Sequence, residues 1–469
     1  MNIQKKNIVG RNLYLRYQKI DTSLFEMISF FELNRKKYPF LLESSAKGNK
    51  SARFSIIFCD PDTRLVKNNF KDLNFLETFN KYWEEECLIQ DQDILKERGI
   101  DIPFLGGWFV YLGYELIYEI EDKLNIPDSP FKFPTAFASR IKSAIILDHI
   151  KETIYFFSEE SNERLDAMEK DFFLILNNKF SKKEVSNKKI ELIKKGTSKD
   201  HQKDIKKCID YIFQGEIFQA NLSRLWEFKV HDKNIDSEIY RELKKTNPSP
   251  FAGMVFFNNS SIISSSPERL VSIKDSILET RPIAGTRPRG GSGILDVELS
   301  RELISSEKER AEHLMLVDLE RNDISRVCKF GTVKVDEMMV IESYSHVHHI
   351  VSNIKGVIRN NVKPGHVISA VFPGGTITGC PKVRCIEILG ELEKIGRGPY
   401  TGSFGYVNHN SNLDFNILIR SMLMEEGKIF IRAGGGIVAD SIPEKETLET
   451  EAKVSAMLEA LQNLRSQCD

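Results

Sequence analysis

The sequence predicts an α+β fold, in which strands and helices are mixed in no regular order. Strand-like runs of aromatic and β-branched residues, such as Arg53–Phe58 and Ser143–Leu147, lie mostly in the first 180 residues. Apolar residues recur at helical spacing between Ile205 and Ile212, and Gly215 then predicts the end of that helix. Because strand and helix do not alternate cleanly, a doubly wound parallel sheet is not predicted.

Length and charge exclude several classes of protein. The chain has 469 residues, of which 41% are hydrophobic and 28% are charged. Its 66 basic and 67 acidic residues almost cancel, so no global field would draw it to nucleic acid or to a membrane surface. No run of about 18 apolar residues is present, and the start Met1–Lys6 is too polar for a secretory signal. We therefore expect a cytoplasmic protein without nucleic-acid or membrane partners.

Cysteine and lysine usage bears on the organisation of the chain. The seven cysteines are scattered and form no CxxC pair, so neither a disulfide framework nor a thiolate zinc site is predicted. Between Lys182 and Lys207 lysine is dense and proline is absent, which predicts a solvated connector. This connector divides the chain into an N-terminal region, residues 1–180, and a second region, residues 197–462.

Polar side chains alternate along the predicted strand Ile217–Ser223. Gln219, Asn221 and Ser223 share one face, and the apolar residues between them point the other way. Such a polar face either meets solvent or lines a cavity, and both interpretations remain open.

Basic and glycine-rich segments suit an anionic ligand. Arg281–Gly291 combines three arginines, three glycines and two prolines in a stiff loop, and Ala433–Ile437 would expose consecutive backbone N–H groups. Phe372–Lys382 ends where a helix is predicted to begin, and helix N-termini attract anions. It lacks the GxxxxGK[ST] order, so a nucleotide P-loop is excluded. Plain turns and solvent loops are the alternative for all three segments.

Two predicted helices carry carboxylates far apart in sequence. Glu309 and Glu312 lie on one helix, and Glu449 lies on another, with Lys453 one turn further along the same stripe. One carboxylate from each helix would hold Mg²⁺, which takes water and substrate oxygens as its other ligands. Solvated helix faces are the alternative.

A histidine cluster, His346–His349, also suggests metal binding. On a strand, His346 and His348 share a face while His349 points away, which argues against one metal bound by all three. A single histidine would instead act as an acid or a base.

Taken in order, these motifs resemble those of the chorismate-utilising enzymes, and most closely the large subunits of anthranilate synthase and aminodeoxychorismate synthase. The likeness is strong from Gly215 to Lys453 and weaker in the N-terminal region, where Phe40–Ser44 and Arg53–Ser55 match. The resemblance implies a two-sheet β-sandwich flanked by helices, with the active site in a cleft.

The resemblance also implies roles for individual residues. Glu312 and Glu449 match the carboxylates that hold Mg²⁺, which in turn holds a carboxylate of chorismate. Glu268 matches the general acid that protonates the departing ring hydroxyl, and His349 matches a histidine near the ring. The remaining matches are the groups that grip the substrate carboxylates (Tyr400, Arg420, Gly434, Gly435 and Gly436), contact the ring (Gly285 and Thr286) or line the cleft as cations (Lys382 and Lys453).

The nucleophile follows from Gln219. Relatives that add water have a lysine base at this position, whereas the aminating relatives resemble this sequence, so the resemblance implies ammonia. None of the seven cysteines lies in a G-x-C-x-G setting, so ammonia would come from a separate glutamine amidotransferase subunit.

Two aminating activities compete. Ala284 favours anthranilate synthase, because many aminodeoxychorismate synthases have an attacking lysine there. Several details favour aminodeoxychorismate synthase instead: Gln219–Leu222, Phe251, Phe372–Thr376, Asp414–Asn416 and the third glycine of Ala433–Gly436. We expect aminodeoxychorismate synthase, with anthranilate synthase as the alternative.

Two further possibilities concern binding. Ser44 together with Pro248, Ser249 and Pro250 matches the family's tryptophan pocket, although these residues would also serve simply to pack the N-terminal sheet. An inactive relative that only binds aromatic acids is disfavoured, because the charged set is intact.

Overall fold

The computed structural model describes residues 6–45, 53–69, 72–90, 92–177, 190–232, 234–290, 293–343 and 347–466. Within them the backbone forms 23 strands and 12 α-helices. In chain order the strands are β1 (Lys6–Gly10), β2 (Leu13–Lys19), β3 (Phe40–Glu43), β4 (Phe54–Cys59), β5 (Asp62–Lys67), β6 (Gly107–Leu112), β7 (Ala136–Ile141), β8 (Ser143–Asp148), β9 (Thr153–Ser158), β10 (Ile190–Lys195), β11 (Gln219–Val230), β12 (Phe251–Phe257), β13 (Ser260–Ser266), β14 (Arg269–Lys274), β15 (Ile277–Thr280), β16 (Ile283–Pro288), β17 (Lys334–Ser343), β18 (Val347–Val357), β19 (Gly379–Cys380), β20 (Ser403–Asn408), β21 (Leu413–Asn416), β22 (Ser421–Glu425) and β23 (Lys428–Ile437). The helices are α1 (Ile28–Leu33), α2 (Phe75–Glu85), α3 (Asp93–Glu97), α4 (Ile117–Ile120), α5 (Asn162–Leu176), α6 (Ser198–Phe213), α7 (Asp236–Thr246), α8 (Gly293–Ser305), α9 (Glu307–Ser325), α10 (Pro364–Val371), α11 (Lys382–Glu393) and α12 (Pro443–Ser466).

The strands form two antiparallel sheets. The larger sheet has 13 strands in the order β1-β2-β9-β8-β4-β3-β12-β13-β22-β23-β11-β10, with β19 paired to β11. The smaller sheet has ten strands in the order β16-β18-β15-β14-β21-β20-β6-β7-β5, with β17 paired to β18. The predicted α+β class and the two-sheet architecture are confirmed.

Alternation along β6 explains how the sheets stack. Phe109 and Tyr111 pack into the core between the two sheets, whereas Trp108 and Val110 pack on the other side, against helices α2, α9 and α10. This period of two is what a strand buried on both faces requires. Helices α5, α7 and α12 cover the outer face of the larger sheet in the same way. The result is a four-layer molecule in which two sheets lie between two layers of helices.

Both regions of the chain contribute to both sheets. In the larger sheet β3 of the N-terminal region pairs with β12, and in the smaller sheet β6 pairs with β20. The aromatic rings of Phe40 and Phe109 stack across the interior with centroids 4.2 Å apart. The N-terminal region therefore shares its hydrophobic core with the rest of the chain.

The solvated connector predicted between Lys182 and Lys207 is wrong in its second part. Residues 178–189 lie outside the described residues, but Ile190–Lys195 form β10, and Thr197 caps helix α6 by accepting from the backbone N–H of Asp200. Strand β10 lies at the end of its sheet, where exposed lysines are common because they discourage pairing with other chains. The lysines are thus features of an edge strand and a helix.

None of the helices that the structure describes combines the length and the apolar character that crossing a lipid bilayer requires.

Candidate active site

A large cavity of about 1580 Å³ lies where the two sheets meet helices α7, α9 and α12. Strands β11 and β23 of the larger sheet form one wall, and strands of the smaller sheet around Gly285 and His349 form another. Most of the predicted site residues line this cavity: Gln219, Glu268, Gly285, Glu312, His349, Tyr400, Arg420, Gly434, Gly436, Glu449 and Lys453.

Glu268 lies in the turn between β13 and β14, and only 6% of it is exposed. Its Oε1 accepts a hydrogen bond from the hydroxyl of Thr376 at 2.8 Å. Burial raises the pKa of Glu268 to about 7, against the opposing effects of Thr376 and of the nearby charges of Lys453 and Arg420. A carboxyl in this position retains a proton close to neutral pH.

Arg420 provides a buried positive charge in the cavity. It lies directly before β22 with a backbone φ of +50°, and its Nη1 donates to Oδ1 of Asn247 at 3.0 Å. Burial lowers the pKa of this guanidinium, and the negative charge of Glu268 acts in the opposite direction. Because arginine has a very high intrinsic pKa, the group stays charged and suits a carboxylate ligand.

Tyr400 lines the cavity in front of a buried ionic cluster. The guanidinium groups of Arg397 and Arg432 lie 5.6 and 5.9 Å from its ring centroid. Glu393 accepts hydrogen bonds from both arginines and from the backbone N–H of Ser223. Burial raises the pKa of the Tyr400 phenol to about 12, so it remains a hydrogen-bond donor at neutral pH.

His349 and His348 point to opposite sides of β18, as the alternation of a strand predicts. Nδ1 of His349 lies 3.3 Å from the carbonyl oxygen of Gly285, and since a carbonyl cannot donate, the proton is on Nδ1. Burial lowers the pKa of His349 to about 4, so it is neutral at physiological pH. His348 instead contacts Asp296 and Ser343, and His346 lies outside the described residues.

The glycine run of β23 is needed because neighbouring groups approach its backbone closely. A Cβ on Gly434 would lie 2.5 Å from Oδ1 of Asn221, and one on Gly436 would lie 2.2 Å from Nε2 of Gln219. A Cβ on Gly435 would point towards Glu446 and Glu449 at ordinary contact distances of 3.5 Å or more. Glycine at positions 434 and 436 therefore leaves room for the side chains of Asn221 and Gln219.

The two carboxylates predicted to hold a metal both line the cavity. Glu312 accepts a hydrogen bond from Nε2 of Gln219 at 2.7 Å, and Glu449 forms an ion pair with Lys453 at 2.8 Å. The part of the chain that the structure describes has no group of three acidic, histidine or cysteine side chains arranged to enclose a metal. A hard divalent cation held by one carboxylate from each of α9 and α12 fits this donor set, because Mg²⁺ usually keeps several water or substrate oxygens.

Three of the predicted residues that the structure describes in full, Lys382, Gly435 and Ser44, do not line the cavity. Nζ of Lys382 forms an ion pair with Asp323 at 2.6 Å at the start of α11, outside the cavity wall. Gly435 lies on the opposite side of β23 from its two neighbours. For Thr286 the structure describes only the backbone, which pairs with His349. Ser44 lines a second cavity of about 750 Å³.

The predicted tryptophan-pocket residues lie between the two cavities. The hydroxyl of Ser44 donates to the carbonyl oxygen of Pro250 at 2.9 Å. Pro248, Ser249 and Pro250 line the large cavity, and Pro250 also lines the second one. The structure therefore brings these residues together at one turn, but does not enclose them in a single pocket.

Sequence reasoning missed several residues that support the site. Thr376 lies in the glycine-rich segment Phe372–Lys382, for which the sequence suggests an anion site, and its hydroxyl donates to Glu268 instead. Asn247 fixes Arg420, although its sequence context indicates only a turn. Glu393 and Arg397 have the i,i+4 spacing of a helical ion pair, which is the one signal that was available for them.

Comparison with known proteins gives one family and several relatives that the chain resembles along most of its length. The family model for chorismate binding enzymes matches residues 37–459. The chain is 38% identical to anthranilate synthase component 1 of Acetivibrio thermocellus, covering 90% of each chain. It is 36% identical to aminodeoxychorismate synthase component 1 of Bacillus subtilis, covering 91% of this chain and 92% of that protein. The crystal structure of anthranilate synthase component I from Streptococcus pneumoniae matches with a TM-score of 0.75 at 30% identity, covering 87% of this chain and 92% of that one.

Proposed function

We propose, from the premise that the chain belongs to the chorismate binding enzyme family, that it converts chorismate to 4-amino-4-deoxychorismate with Mg²⁺ and ammonia. The family and the relatives support the coarser statement directly: the chain is a chorismate-utilising enzyme, of either the anthranilate synthase or the aminodeoxychorismate synthase type. The choice of product and of nucleophile is our proposal.

The position of Gln219 is the main observation in support of ammonia as the nucleophile. This residue is 4% exposed, lines the cavity and donates from Nε2 to Glu312. A side-chain amide has no basic lone pair at neutral pH, so it cannot remove a proton from water. Ammonia needs no such base, because its own lone pair is available. The cavity therefore suits ammonia as the attacking group.

Glu268 serves as the general acid for the departing hydroxyl. Its carboxyl is protonated up to about neutral pH and opens onto the same cavity as Gln219. Arg420 and Lys453, with the backbone N–H groups beside Gly434 and Gly436, provide the positive field that a dianionic substrate requires. These residues bind and orient the substrate, and Glu268 supplies the proton.

Glu312 and Glu449 would hold the magnesium ion. The ion, when bound, supplies a concentrated positive charge for a carboxylate of the substrate. Gln219 orients the Glu312 carboxylate through its hydrogen bond, and Lys453 does the same for Glu449.

A second candidate product is anthranilate, formed together with pyruvate. Ala284 lines the cavity and is 7% exposed, so no amine is present at the position where many aminodeoxychorismate synthases have lysine. In favour of aminodeoxychorismate as the product, two of the residues that resemble aminodeoxychorismate synthases contact the same arginine. Phe251 lies under the guanidinium of Arg269, and Asp414 binds the same guanidinium through both oxygens at 2.8 and 2.9 Å.

One incubation separates these products. The purified chain is mixed with chorismate, Mg²⁺ and ammonium chloride, and the products are separated by chromatography. We expect aminodeoxychorismate. Anthranilate with pyruvate as the sole product would reverse the choice, and isochorismate or salicylate would refute amination altogether.

The source of ammonia is proposed to be a glutamine amidotransferase subunit. The same assay with glutamine in place of ammonium should give almost no product from the chain alone, and product should appear when such a subunit is added. Equal use of glutamine and ammonium by the isolated chain would show that no partner is needed.

Tryptophan is proposed as a ligand of the second cavity, next to Ser44 and Pro250. Isothermal titration calorimetry with tryptophan should give a saturable heat, and Ser44→Ala should weaken it, because the Ser44 hydroxyl fixes the turn at Pro250. Absence of any binding heat would remove tryptophan as a partner.

A further inference from the structure

Two phenylalanine side chains on one turn of the surface are largely exposed. Phe213 ends helix α6 and Phe218 directly precedes strand β11, and their exposed fractions are 75% and 67%. Between them the turn closes through a hydrogen bond from the backbone N–H of Glu216 to the carbonyl oxygen of Tyr211 at 3.1 Å. Single exposed apolar side chains need no explanation, whereas an apolar patch is typical of a surface that contacts another molecule.

Helix α11 extends this apolar surface. The backbone N–H of Phe218 donates to the carbonyl oxygen of Cys380 at 2.8 Å, and Val383, in the first turn of α11, is also exposed. Arg384 joins the helix to the turn, because its Nε donates to Glu216 at 2.7 Å. One surface, which we call the phenylalanine patch, therefore consists of Phe213, Phe218 and Val383.

Charged and polar side chains lie beside the phenylalanine patch. Glu216 and Arg384 form an ion pair there, and the guanidinium of Arg384 lies 5.9 Å from the ring centroid of Tyr211. The hydroxyl of Tyr211 donates to Glu391 at 2.8 Å. Exposed aromatic side chains next to arginine and tyrosine are a usual composition of protein–protein interfaces. Because its residues line neither of the two cavities, the patch suits a protein surface better than a small ligand.

The phenylalanine patch lies next to the wall of the large cavity. Gln219 follows Phe218 immediately, lines the cavity and donates to Glu312 at 2.7 Å. Successive side chains of a strand point to opposite faces, so the start of β11 presents Phe218 to the surface and Gln219 to the cavity. A single strand therefore separates this patch from the space in which amination is proposed to occur.

This position suits a partner that supplies ammonia. In neutral water ammonia takes up a proton, and the ammonium ion has no lone pair with which to attack carbon. A subunit that releases ammonia therefore works best when it is seated close to the cavity that consumes it. The phenylalanine patch offers an apolar contact at such a place.

We propose that the phenylalanine patch is the docking surface for the glutamine amidotransferase subunit, an inference that rests on the proposed amination. The subunit covers Phe213, Phe218 and Val383 and releases ammonia beside the start of β11, next to the large cavity. A second copy of this chain on the same surface is the alternative occupant that the experiment has to exclude.

The test replaces Phe213 by arginine and uses a purified glutamine amidotransferase subunit encoded in the same genome as this chain. Phe213→Arg puts a charge into the proposed contact, and it suits the carboxyl end of α6, which has no basic residue in its last turn. With glutamine, the subunit concentration that gives half-maximal turnover of chorismate should rise about tenfold or more, as loss of a central aromatic contact usually causes. With ammonium chloride alone, kcat and KM should stay within about twofold of the wild type.

A second variant and a matched control accompany this measurement. Phe218→Ser should raise the half-maximal subunit concentration in the same way, and it decides the outcome if Phe213→Arg does not fold by circular dichroism. Ile150→Arg is the control, because Ile150 is exposed to a similar extent in the turn between β8 and β9, seven strands from β11 in the larger sheet. The control should leave the half-maximal concentration unchanged.

Three results would overturn the docking surface. The first is an unchanged half-maximal concentration in the folded phenylalanine variants, and the second is an equal rise in Ile150→Arg. The third is an equal loss of turnover with ammonium chloride, which would place the effect in the cavity. Sedimentation velocity of the chain alone tests the alternative occupant: a wild-type dimer that becomes monomeric in Phe213→Arg would assign the patch to self-association instead.

Failure of the proposed function gives a different result. A wild-type chain that forms no aminated product from ammonium would overturn amination itself. A wild type that uses ammonium, but gains no glutamine-dependent turnover from the subunit, would overturn the amidotransferase partner and this inference with it. A wild type supported by the subunit, with both phenylalanine variants equally supported, would overturn the docking surface alone.

Discussion

Glu268 sets the expected pH dependence at the scale of single residues. A general acid works only when protonated, and the pKa of this carboxyl is about 7, so kcat/KM for chorismate should fall as the pH rises through about 7. The measurement is kcat/KM between pH 5.5 and 9 at a constant concentration of NH₃. His349, with a pKa of about 4, stays neutral throughout this range and should add no further change to the pH profile of kcat/KM.

The variant Glu268→Gln is the control for that profile. It keeps the size of the side chain and an oxygen that accepts from Thr376, but it has no acidic proton. Turnover should fall by about two orders of magnitude or more, in line with the usual contribution of general acid catalysis. A wild-type profile that stays flat to pH 8.5, or substantial activity in the variant, would exclude Glu268 as the acid.

The metal assignment makes a separate prediction for two residues. Glu312→Ala and Glu449→Ala should each lose nearly all turnover at saturating chorismate and Mg²⁺, because each removes one of two protein ligands. Turnover is measured against Mg²⁺ concentration. Glu444→Ala is the control, since this exposed residue lies on the same helix as Glu449 but does not line the cavity. Full activity in either of the first two variants would contradict the assignment.

Single residues could be predicted from the sequence where a motif identifies them. Glu268, Glu312 and His349 line the cavity as the family motifs imply. The contact of Thr376 with Glu268 could not be predicted, because it joins residues 108 positions apart. Lys382 shows the same limit: its ion pair with Asp323 depends on how α11 packs near α9, which no local pattern reports.

At the scale of elements, the glycine run of β23 gives a position-specific prediction. Gly434→Ala and Gly436→Ala should both abolish activity and lower the melting temperature, because each new Cβ would come within 2.5 Å of a neighbouring atom. Gly435→Ala should be tolerated, since its nearest neighbour would be 3.5 Å away. Activity and thermal unfolding of all three variants are measured together. Three equal effects would show that backbone flexibility, and not space, explains these glycines.

Elements were predictable where the pattern is local. The alternation of Gln219, Asn221 and Ser223 correctly separates the polar face of β11 from its buried face. The structure resolves the alternative left open there: Gln219 and Asn221 line the cavity, whereas Ser223 binds Glu393 behind it. Strand β10 was missed because its only burial is at Ile190, so its lysines indicate solvent unless its pairing with β11 is known.

At the scale of the molecule, the two regions separated in the sequence are expected to fold only together. A fragment of residues 197–462 loses β3 as the partner of β12 and β6 as the partner of β20, which exposes two long strand edges. It also loses the aromatic side chains that fill the space between the sheets, including Phe40 and Phe109. We expect this fragment to aggregate and to show no cooperative unfolding by circular dichroism.

Co-expression with residues 1–180 is the control, because it returns β3 and β6 without the covalent link. If the shared core determines folding, the two fragments should copurify, unfold in one transition and regain ammonium-dependent turnover of chorismate. A fragment of residues 197–462 that unfolds cooperatively and turns over chorismate alone would contradict this expectation. The N-terminal region would then be an accessory to an independent catalytic domain, although both sheets contain strands from both regions.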